Sequence, residues 1–95
     1  MENKVEKIYR VERIGDFIEI GYGLNKFAGE LEEYEAVLVK ISQIKRVDFD
    51  VFDGSAELCI DMFDTIDSVE FENDDTAALR EVYREIKRIL RDARI

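Results

Sequence analysis

Ninety-five residues supply one hydrophobic core and one domain, since a chain of this size buries only about 60 to 65% of its extended surface. Hydrophobic residues at 46% and charged residues at 39% exclude intrinsic disorder, and a net charge of −9 disfavours nucleic acid, whose phosphates need neutralising bases. No uncharged stretch approaches the roughly 18 apolar residues of a membrane span, the lone Cys59 closes no intramolecular disulfide, and a chain without histidine offers no zinc site.

Along the chain, Ile8, Tyr9, Val11 and Ile14 mark residues 6–14 as a strand by their β-branched and aromatic content. After a turn at Gly15-Asp16, Phe17 and Glu19 alternate with Ile18, Ile20 and Tyr22, which predicts a hairpin with the first strand. Residues 23–33, with Gly23, Asn25 and Gly29 among Leu24, Phe27, Ala28 and Leu31, read as a loop or a short strand. Residues 34–41 form an apolar strand. Lys45 to Phe52 places Val47, Phe49 and Val51 on one face and Asp48 and Asp50 on the other.

Asp53-Gly54 has the chemistry of a tight hairpin, because both positions accept positive φ. Ala56, Leu58, Ile60 and Met62 then face the core, with Glu57, Cys59, Asp61 and Phe63 opposite. A third strand over residues 66–72 turns Val69 and Phe71 inward and Glu70 and Glu72 outward. Asn73-Asp74-Asp75 is a helix start, because short polar oxygens cap free amides and negative charge meets the positive end of the dipole. From there, Leu79, Val82, Tyr83, Ile86, Ile89, Leu90 and Ala93 fall within about a 120° arc, the width of a core-facing stripe.

Charge divides the chain in three. Residues 1–46 hold eight bases and nine acids, residues 47–79 hold eleven acids and no base, and residues 80–95 hold six bases and three acids. The middle zone coincides with the three-strand meander. The plain reading is a solvated face; the functional one is an acidic patch that docks on a basic partner or imitates a phosphate backbone.

The expected fold is α+β: a small antiparallel sheet or partly open barrel of five to seven strands over residues 6–72, with one C-terminal amphipathic helix over 74–93, all in a single domain. Ile41-Ser42-Gln43-Ile44 leading into a strand, the Asp53-Gly54 hairpin, and Val69-Glu70-Phe71-Glu72-Asn73 running into the helix resemble the second half of bacterial pleckstrin-homology-like domains. The resemblance covers residues 37–92. It implies a binding scaffold for a protein or peptide, without the basic loop of the phosphoinositide-binding branches.

The spacing Asp48, Asp50, Asp53, Gly54 departs from a calcium loop, because the third acid comes one residue late and Ile60 stands where the closing acid belongs. Nothing predicts an enzyme: no histidine and no phosphate loop are present, and acids on a wet strand face keep similar pKa values. Cys59, among acids, is expected to stay a protonated thiol. The expectation is a cytoplasmic, non-catalytic interaction or accessory domain without cofactor or metal. Its candidate binding surface comprises Asp48, Asp50, Glu57, Asp61, Glu70 and Glu72, with Tyr22 and Phe27. A basic protein partner and self-association are both anticipated. The rivals are a small-molecule-binding regulatory domain with a cavity near residues 22–31, and an acidic inhibitor that mimics nucleic acid.

Overall fold

A computed structural model describes residues 6–26 and 30–93, with the side chains of 9–23 and 35–93. The first hairpin pairs β1 (Glu6–Ile14) with β2 (Phe17–Lys26), Ile14 lying directly opposite Phe17. That register leaves two residues for the turn. Gly15 takes φ +59 at its first position, a backbone that L side chains adopt at a cost. β2 then pairs antiparallel with β3 (Glu30–Lys40).

This second pairing corrects the expectation of a loop or short strand over 23–33. β2 continues to Lys26 and β3 begins at Glu30, with a register irregularity between Gly23 and Asn25. Glycine and asparagine weaken strand propensity, but ladder hydrogen bonds on a central strand override it.

A 3-10 turn over Ile41–Gln43 takes the chain from one sheet to the other. β4 (Ile44–Phe52), β5 (Ser55–Met62) and β6 (Val69–Asn73) form a second antiparallel meander. Its first turn is the anticipated Asp53-Gly54, with φ +47 and +78, the pattern of a type I′ hairpin. The six strands thus make two three-stranded sheets, β1-β2-β3 and β4-β5-β6, not one continuous sheet. The third strand of the second meander is shorter than expected: it starts at Val69, and Ile66 lies fully exposed in the connection before it.

α1 (Thr76–Ala93) closes the fold. Asp75 Oδ1 accepts from the Ala78 amide at 3.1 Å, and Asn73 Oδ1 accepts from the Asp75 amide at 2.9 Å. The Asn-Asp-Asp run therefore caps the helix as its chemistry predicts. The buried stripe Leu79, Val82, Ile86 and Ile89 meets Ile18, Ile20 and Val39 of the first sheet and Ala56, Leu58, Ile60 and Phe71 of the second in one core. Val51 departs from its expected inward role and is 50% exposed, because β4 is an edge strand and the helix cover stops at Phe49, whose ring stacks on Tyr83 at 5.3 Å.

Among the described residues the two sheets are tied together at both ends. At one end the rings of Tyr9, Tyr22 and Phe71 lie 6.0 to 6.3 Å apart, with the Tyr9 hydroxyl accepting from Asn73 Nδ2. At the other, the Ile41 amide donates to Asp16 O at 2.7 Å and the Phe63 amide to Gln43 O at 2.9 Å, which pins the corner.

Candidate functional site

Because side chains alternate along a strand, the inward set Ala56, Leu58 and Ile60 forces Glu57, Cys59 and Asp61 outward. Register then decides what stands beside them. Asp50 pairs with Glu57 and Glu57 with Glu72, giving a row of three carboxylates across the sheet. Asp48 pairs with Cys59 and Cys59 with Glu70, a second row with a thiol at its centre. Strands lie about 4.8 Å apart, so these carboxylates are near neighbours on the face opposite α1. The six acids anticipated from alternation share one surface.

Asp61 belongs to a third row, opposite Arg46. Arg46 Nη2 reaches Asp61 Oδ2 at 3.1 Å and its Nε reaches Asp48 Oδ2 at 2.8 Å. Sequence reasoning overlooked this residue because it lies one position outside the acid zone. Its even spacing from Asp48 on the same strand was the available signal. No salt bridge within the described residues reaches Asp50, Glu57 or Glu70. Repulsion therefore concentrates around Asp50 and Glu57, in the row farther from Arg46.

The Cys59 thiol is held above its ordinary range. A hydrogen bond with Ser68 pulls its pKa down, but partial burial and the charges of Asp61 and Glu70 together outweigh it. Sγ lies 3.6 Å from Asp61 Oδ1. A protonated thiol among carboxylates is a poor nucleophile. At the ends of the strands stand two exposed aromatics, Phe52 closing β4 (48% exposed) and Phe63 just after β5 (65%).

Tyr22 is not on this face. It shares the inward parity of Ile18 and Ile20 on the other sheet, and its hydroxyl donates to Glu35 Oε2 at 2.5 Å. Phe27 lies outside the described residues, as do the side chains of Leu24 and Leu31. Asp48 to Gly54 forms strand and tight turn, with no group of three or more metal-competent side chains gathered among the described residues. A cavity of about 640 Å³ opens at the sheet corner, where Arg13, Ile41, Ile44, Lys45 and Phe63 line it. It lies at the opposite end of β2 from the segment where a ligand cavity was expected. No described helix is long and apolar enough to cross a membrane.

Comparison with protein families, with curated proteins and with solved structures finds no match for this chain.

Proposed function

We propose that the domain is a non-catalytic docking module whose working surface is the outer face of β4, β5 and β6, and whose partner is a basic protein surface. The observation that carries this reading is the cross-strand register, which stacks Asp50, Glu57 and Glu72 in one row and Asp48 and Glu70 beside it. Holding like charges together costs stability, and a basic partner would recover that cost on binding. Phe52 and Phe63 add apolar contact at the rim, the kind of anchor that interfaces draw on. A pleckstrin-homology-like scaffold, proposed from the pattern of residues 37–92, would serve the same role.

The test uses a synthetic peptide of alternating lysine and leucine as probe. Wild-type protein binds it at a rate that falls steeply with ionic strength. The variant Asp50→Asn, Glu57→Gln, Glu70→Gln keeps both Arg46 pairs, and it should bind more slowly with most of the salt dependence gone. Equal rates for wild type and variant at low salt would reject the docking face.

A small-molecule reading has one observation in its favour, the corner cavity lined by Arg13, Lys45 and Asp16 together with Ile41, Ile44 and Phe63. A thermal shift on adding small anionic amphiphiles, abolished by Lys45→Ala, would favour that reading instead.

A further inference from the structure

The outer face of the first sheet, unlike the acidic face, balances its bases and acids among the described residues. Its outward residues run Arg10, Glu12 and Ile14 on β1, Phe17 and Glu19 on β2, and Ala36, Leu38 and Lys40 on β3. Two bases and two acids cancel in a chain of net charge −9. Between them lies a contiguous apolar patch. Ile14 and Phe17 are direct cross-strand partners, Leu38 is diagonal to Phe17, and the three are 48%, 40% and 58% exposed. Singly exposed apolar residues are ordinary, whereas a cluster on a sheet with no covering layer marks an interface. The helix lies across the inner face, so among the described residues nothing covers this one.

We infer that this face is where two copies of the chain meet, sheet on sheet, about a twofold axis running across the strands. Two arguments select a second copy. Like copies repel wherever their acidic faces approach, so a neutral apolar face is the favoured place for them to touch. The charges are also self-complementary. Glu12 and Arg10 are successive outward residues of β1, and a twofold between their rows lays each Glu12 over the partner's Arg10 and each Leu38 over the partner's Ala36. A twofold along the strands would set Glu19 on its own copy. The contact is small: three strands of about nine residues span roughly 400 to 500 Å² of sheet a side, near the lower limit for specific association, so a weak, concentration-dependent dimer is expected.

Sedimentation equilibrium of the full chain across concentration tests this. The expected mass rises from 11.1 kDa toward twice that value, and Leu38→Glu or Phe17→Glu raises the dissociation constant about tenfold or more while the melting temperature holds. Glu12→Arg and Arg10→Glu each weaken association, and the double exchange restores it. The variant Asp50→Asn, Glu57→Gln, Glu70→Gln dimerises at least as well as wild type, which separates this face from the acidic one. A monomer at millimolar concentration, or a dimer indifferent to Leu38→Glu, would overturn the inference. A double exchange that fails to restore association would overturn the twofold arrangement.

Discussion

Tyr9 and Tyr22 both carry a pH signature. Burial is the main force raising the Tyr9 phenol above its ordinary 10.0, opposed by its hydrogen bond with Asn73 and aided by the Asp75 charge. For Tyr22 the hydrogen bond donated to Glu35 comes first, then burial and nearby charge, all in the same direction. In both, the folded state favours the neutral phenol. Their contribution is therefore fully present below the unfolded pKa near 10 and is lost as pH rises through the folded values. Melting temperature should fall as pH is raised above about 10, and Tyr22→Phe should flatten part of that fall. A profile unchanged by Tyr22→Phe would show that the Glu35 bond contributes nothing there. Sequence alone gave Tyr22 its inward parity with Ile18 and Ile20, but not its partner, because Glu35 enters through a pairing with β3 that single-strand patterns do not reveal.

The helix shows how local chemistry and packing differ in size. Asp75→Ala removes one cap bond to the Ala78 amide and should cost about 0.5 to 2 kcal/mol. Ile86→Ala empties a site with no exposed surface, between both sheets, and should cost about 2 to 5 kcal/mol in denaturant melts. A loss below about 1 kcal/mol for Ile86→Ala would mean that the helix is dispensable to the core. The helix, both tight turns and the inward set of β5 were legible because each rests on short-range periodicity or turn stereochemistry. The length of β2 and β3 was not legible, since residues that disfavour strands lie within a ladder held by its neighbours. Division into two sheets was equally hidden, because it turns on a three-residue corner whose hydrogen bonds go to Asp16 and Phe63, both distant in sequence.

At the scale of the whole molecule, the middle charge zone of the sequence becomes an acidic sheet face and the first zone a neutral one. The acid face was readable from alternation, and its repulsive centre can be placed at Glu57, between Asp50 and Glu72. Glu57→Gln should raise stability by a few tenths of a kcal/mol at low salt, with the gain shrinking as salt is added. Asp61→Asn should give no such gain, because it removes a partner of Arg46. Equal effects for the two substitutions, read by thermal melts, would show that net charge and not register sets the cost. Alternation sets Arg46 on the face of Asp48, but only the register with β5 shows that it also relieves Asp61.

The corner at Ile41–Gln43 also bears on the order in which the chain can acquire its structure. Each sheet is built only from adjacent antiparallel hairpins, so both meanders close short loops and can form early and separately. Neither can bury its inner face alone, because the stripe that covers both belongs to the helix that follows all six strands. The docking of α1 onto both sheets is then the expected rate-limiting step. Truncation at Ile86 should speed unfolding and slow folding together, while a change within the first turn, at Gly15, should act on folding of one half alone.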